Sequence, residues 1–131
     1  MTVDLKNVKV CSQSSFARIN ETSDDTLTFV EAIVVVSTYR SGTEWRRIWS
    51  DGWCEQGGQT GTVAHNKMTT VILGQSYVNS GYTINITGIG DYSNTAGSNP
   101  TITARANGSF SITNGNVLPQ VFMWETKGYI R

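Results

Sequence analysis

The residues best equipped for chemistry lie in one run, EWRRIWSDGWCEQGG over Glu44–Gly58, where Trp45, Trp49 and Trp53 recur at every fourth position beside the carboxylates of Asp51 and Glu55. Indole faces stack on the apolar faces of sugars, so a row of them is a candidate carbohydrate platform. Hydrolysis of a glycoside would need two carboxylates about 5 to 9.5 Å apart across a cleft. On one extended strand Asp51 and Glu55 stand about 13 Å apart, too far unless the chain bends at Gly52. Glu44 falls on the opposite face, and Asp24-Asp25 reads as a solvated turn. The one histidine, His65, sits in a polar loop with no second histidine to build a metal or nucleophile site around. Gly57-Gly58 and Gly61 lack the lysine and helix of a phosphate loop. These residues predict no enzyme, no metal and no cofactor.

The elements around this run are extended. Leu27 to Arg40, LTFVEAIVVVSTYR, is dense in β-branched residues and predicts a long buried strand, ended by Ser41-Gly42. The tryptophan run follows at once, so the two read as a hairpin. Read as one strand, it places Trp45, Arg47, Trp49, Asp51, Trp53 and Glu55 on one face and Arg46, Ile48, Ser50 and Cys54 on the other. Indoles so placed belong to a core or an interface, with Asp51 and Glu55 pairing Arg46, Arg47 or backbone N–H groups. Further on, MTTVILGQSYV and YTINITGIG flank Asn79-Ser80-Gly81 and read as another hairpin. TITARANGSFSITNG carries the hairpin signal Asn107-Gly108, and VFMWETKGYIR closes the sequence as a final strand. Residues 1–26 read as an N-terminal arm with some helical spacing (Leu5, Val8, Phe16, Ile19), and residues 27–131 as one β domain. Seven or eight short strands joined by glycine turns predict an all-β antiparallel sandwich or barrel-like knob.

Lysine plus arginine equals aspartate plus glutamate at 10 each, so no charge asymmetry attracts nucleic acid or anionic lipid. Only 15 % of residues are charged, which suggests that part of the surface is covered in an oligomer. No run reaches the roughly 18 apolar residues of a membrane helix, and the N-terminus lacks a secretory pattern, so Cys11 and Cys54 read as reduced thiols.

The ten residues WSDGWCEQGG (Trp49, Ser50, Asp51, Gly52, Trp53, Cys54, Glu55, Gln56, Gly57, Gly58) resemble a motif of phage and prophage tail-fibre C-terminal domains. The portion TTVILGQSYVNSGYTINIT and the ending VFMWETKGYIR extend the likeness over residues 28 to 131, although Thr126-Lys127 stand where the family often has a small residue or Cys before Gly-Tyr, and Ile130-Arg131 are added after it. The resemblance implies a homotrimeric β knob at a fibre tip. Such a knob is a virion component, made in the bacterial cytoplasm without a signal peptide, that binds a bacterial surface glycan or outer-membrane component and contacts other virion proteins. An architectural tail-assembly protein and a carbohydrate-binding module are the alternative functions. Binding is expected in the loops, at Tyr92, Asn94 and Asn99 of Asp91–Pro100 and at Arg105 and Asn107 of the following turn, where an aromatic, a cation and amides stand on glycine-containing scaffolding.

Overall fold

The computed structural model describes residues 17–21, 27–91 and 99–131. Cys11, Asp24-Asp25, Tyr92 and Asn94 lie outside them. Strands β1 (Ala17–Glu21) and β2 (Leu27–Glu31) pair with each other as an antiparallel hairpin. The remaining eight strands form a sandwich of two antiparallel sheets. One sheet has the order β3 (Val35–Ser41), β4 (Glu44–Trp49), β5 (Trp53–Gln59), β10 (Val121–Tyr129) and β7 (Thr83–Ile89). The other has the order β6 (Met68–Ile72), β9 (Ser109–Thr113) and β8 (Thr101–Ala106). The described residues contain no helix.

Strand β10 shows how sequence alternation makes the layers. Phe122, Trp124, Thr126 and Gly128 are buried toward the other sheet, while Met123, Glu125 and Tyr129 alternate with them on the outer face. Phe110 of β9 meets Trp124 edge-to-face at 5.9 Å between ring centres, which ties the two sheets together. Around this pair lie Ile112, Phe122, Val71, Leu73 and Cys54, all buried. Tyr77 and Tyr82 stack at 4.4 Å at one end of the core, and the Tyr77 hydroxyl shares a 2.8 Å hydrogen bond with buried Thr126.

Three sequence expectations change. The apolar stretch from Leu27 breaks at Ala32–Val34, and β3 beyond the break is an edge strand exposed along its length. Its β-branched residues serve ladder geometry more than burial. The segments flanking Asn79-Ser80-Gly81 do not pair with each other. β6 joins β9 and β7 joins β10, so this connection crosses from one sheet to the other. The tryptophan run is two strands, with the chain turning at Ser50–Gly52. The Asn107-Gly108 hairpin stands as read, and the break expected at Ser41-Gly42 is a two-residue loop at Gly42-Thr43, each between paired neighbours.

Candidate functional site

The WSDGWCEQGG run is a structural device in which nearly every residue has a task. Ser50 Oγ accepts a hydrogen bond from the Val34 amide at 3.1 Å, anchoring the start of β3. Asp51 Oδ1 accepts the Trp53 amide at 2.9 Å, and Gly52 takes φ +88°, a region that L side chains avoid. Together they make the turn. Glu55 accepts from Trp53 Nε1 at 3.2 Å and lies 4.0 Å from Lys127 Nζ, so its partners are these and not the arginines expected from sequence. Buried Gln56 uses both ends of its amide on the Gln75 backbone, donating to the carbonyl at 2.7 Å and accepting from the N–H at 3.1 Å. The two glycines are seats for rings. A Cβ on Gly57 would stand 2.6–2.7 Å from Trp45 Nε1, Cε2 and Cζ2, and one on Gly58 would stand 2.8 Å from Trp124 Cζ2.

Register fixes the faces. Arg47 lies opposite Glu55, Ile48 opposite Cys54 and Trp45 opposite Gly57, so Trp45, Arg47, Trp53 and Glu55 share the outer face while Arg46, Ile48 and Cys54 point inward. For these seven residues the faces are those expected from sequence, reached through a hairpin, while Ser50 and Asp51, expected on opposite faces of one strand, lie in the turn. Outside, Trp53 packs edge-to-face on Tyr129 at 5.0 Å. The outer face of the five-stranded sheet carries an open trough of about 870 Å³ that runs from Thr38 and Arg40 of β3, over Trp45, to Met123 of β10 and Thr87 of β7.

Arg46 stands at the inner rim of that trough, its guanidinium 5.2 Å from the Tyr39 ring centre. Its Nε is buried without a hydrogen-bond partner. A second, smaller hollow of about 170 Å³ lies beside Gly88, Pro100 and Asn116. Buried Asn114 beneath it donates to the carbonyls of Val63 and Leu118, and Gln120 donates to the Asp91 carbonyl at 2.5 Å.

The loop residues expected to bind fall into different settings. Asn99 is exposed. Asn107 donates to the Val78 carbonyl at 3.4 Å. Arg105 donates from Nη2 to the Tyr82 carbonyl and stacks its guanidinium 5.0 Å from the Tyr82 ring centre. Arg105→Ala is therefore expected to lower stability by about 1 to 2 kcal/mol in urea unfolding, through a lost charged hydrogen bond and cation–π contact. His65 Nδ1 lies 2.9 Å from the Asn116 carbonyl, a contact that fastens its loop.

Cys54 is fully buried as a free thiol, and burial pushes its pKa from 9.0 to about 11. Burial likewise pushes Tyr77 from 10.0 to about 12. Both groups fold as neutral acids with raised pKa values, so their contribution to stability is complete below pH 9 and is lost as pH rises through 11 and 12. The melting temperature is expected to be flat below that window and to fall across it. Cys54→Ala should remove the earlier part of the fall.

Among the described residues no group of three or more His, Cys, Asp or Glu side chains is placed to hold a metal ion. No family model and no curated protein sequence matches the chain. Two solved structures share its fold. One is a P. aeruginosa R2 pyocin fibre fragment comprising C-terminal residues 323–691, with TM-score 0.56 and 16 % identity over 74 % of this chain. The other is an N-truncated R2-type pyocin tail fibre, with TM-score 0.55 and 16 % identity over 74 % of this chain. The matched part spans 26 % and 37 % of those two chains.

Proposed function

We propose that this chain is a non-enzymatic receptor-binding domain of a phage-type tail fibre, adsorbing to a bacterial surface glycan or outer-membrane component. The observation that carries this reading is the shared sandwich of the two pyocin tail-fibre structures. The side-chain chemistry agrees with it. Asp51 and Glu55 are each committed to structural hydrogen bonds, which suits a binding module more than a hydrolase.

In this reading the domain works as a homotrimer within a virion. The surface best suited to contact between copies is the outer face of the three-stranded sheet. Met68, Thr70, Ile72, Ala104, Ser111 and Thr113 share that face by register, and no ionisable side chain stands among them. Ile72 and Met68 there are 72 % and 59 % exposed in the single chain. A face without charge has little to lose from desolvation, and association would cover the β6 and β8 edges beside it. The same face would also suit packing on another virion protein, the basis of the architectural alternative.

Adsorption of the purified domain to whole bacteria, across strains that differ in surface polysaccharide, tests the proposal. Retention that follows one surface component is the expected result. Retention by none of the cells, with capture only by other tail proteins, would favour the architectural role.

A further inference from the structure

We propose that the trough on the outer face of the five-stranded sheet binds an oligosaccharide bearing a carboxylate or phosphate, one pyranose stacking on Trp45 and the anion held by Arg40 and Arg47. The assignment rests on the receptor-binding reading for the source of the ligand; the site itself is argued from its geometry.

Trp45 is the aromatic seat of the trough. Three atoms of its indole stand almost equally close to the position of a Cβ on Gly57, so the ring lies flat on the glycine and turns its other face into the trough. A side chain held this way loses little rotamer freedom when a ligand arrives, the situation that favours stacking on a sugar. It is also incompletely covered, being half-buried in the single chain.

The walls of the trough are polar. Gln59, Asn85 and Thr87 line the trough, and all three are exposed. Amide and hydroxyl groups donate and accept at once, which matches the vicinal hydroxyls of a sugar. The trough crosses all five strands, a span of about 19 Å at the usual strand spacing, longer than a single monosaccharide requires.

Charge decides the ligand class. Lys127 lies 3.1 Å from Glu125 and 4.0 Å from Glu55, so the two carboxylates that share the Trp45 face already have a cation, while Glu44, which also lines the trough, falls on the opposite face by register. Glu55 also accepts from Trp53. Arg40 and Arg47, by contrast, have no carboxylate within salt-bridge distance among the described residues. Two guanidinium groups beside Trp45 thus remain for an anion, and their planar forks suit carboxylate or phosphate oxygens. The uncharged face of the other sheet offers neither the aromatic seat nor the cations, which separates a saccharide surface from a protein-contact surface in one molecule.

The test is an array of neutral, uronate-bearing and phosphorylated oligosaccharides, followed by calorimetry on the best binder. Anionic members are expected to be retained and their neutral counterparts to bind about tenfold more weakly or worse. Trp45→Ala should cost about tenfold in affinity, and Arg47→Gln should both weaken binding and flatten its dependence on salt. Val117→Ala, an exposed side chain outside the trough, should leave affinity unchanged, and melting curves should show each variant folded. Binding to no anionic member overturns the proposal, as does binding that survives Trp45→Ala and Arg47→Gln combined in a folded protein. Self-association that Trp45→Ala disrupts also overturns it, since the trough would then be a contact between copies. Unchanged cell adsorption by the double variant sinks the trough but leaves the receptor-binding reading standing. Saccharide binding without adsorption to any cell does the reverse.

Discussion

Phe110→Ala is expected to destabilise the protein by about 3 to 5 kcal/mol in denaturant unfolding, a large part of the roughly 5 to 15 kcal/mol that holds an ordinary domain together. Phe110 is 1 % exposed and bridges the sheets through its edge-to-face contact with Trp124. Its removal opens a cavity at the point where β9 meets β10. Neighbours on both sides are fixed by ladder hydrogen bonds, so the space cannot be refilled by a small shift. Ile72→Ala is the matched control, because Ile72 is 72 % exposed and its loss should change stability by less than about 0.5 kcal/mol in the isolated chain. If the two substitutions cost the same, the core assignment is wrong.

Asn114→Ala should cost about 3 kcal/mol or more, although it deletes only an amide. Asn114 is 0 % exposed. Its Nδ2 donates to the carbonyls of Val63 and Leu118 at 2.8 and 3.0 Å, and its Oδ1 accepts the Asn116 amide at 2.9 Å. Alanine would leave the Leu118 carbonyl and the Asn116 amide without a partner and the Val63 carbonyl with the Gln120 N–H alone, each orphaned group costing about 1 to 3 kcal/mol unless water enters. Asn114→Asp separates the contributions. It keeps the acceptor for Asn116 but loses both donors, so it should also destabilise strongly. Hydrogen exchange offers an independent readout: the amide of Asn116 should lose protection in Asn114→Ala and keep more of it in Asn114→Asp.

Much of this architecture was legible in the sequence where the signal is local. Asn107-Gly108 announces its two-residue hairpin because both residue types favour turns over strand continuation, and nothing distant is needed, although neither takes a positive φ here. The alternation in VFMWETKGY announces the two faces of β10 in the same way. The tryptophan run is more instructive. Its alternation placed Trp45, Arg47, Trp53 and Glu55 on one face correctly, yet concealed the turn at Ser50-Asp51-Gly52. Ser-Asp-Gly is itself a turn signal, and the regular spacing of indoles across it masked that signal. The connection through Asn79-Ser80-Gly81 was illegible for another reason. A turn signal says that the chain reverses, and which sheet receives the next strand depends on Tyr77 and Tyr82 packing under Gly128, a partner far along the chain.

The candidate site was less readable. Sequence pointed to loops, and Arg105 looks there like a free cation. Its engagement with Tyr82 is a contact between segments that no local pattern encodes. The trough escaped because its defining event, Trp45 lying flat on Gly57, depends on cross-strand register. The doublet Gly57-Gly58 inside a strand was the available clue, since adjacent glycines there give up ladder stability unless something must approach closely.

The placement of β10 governs how the chain comes to be folded during its synthesis. Strand β10 lies between β5 and β7, and Lys127 faces Glu55 across more than half the length of the chain. A ribosome delivers β3, β4, β5 and β7 well before it delivers that strand. Until residues 121–129 emerge, β5 and β7 each present an unpaired edge, and the half-core beneath them is open to water. The nascent chain therefore cannot bank its folding energy in stages. It waits exposed and sticky, then closes in one late event whose rate is set by long-range pairing.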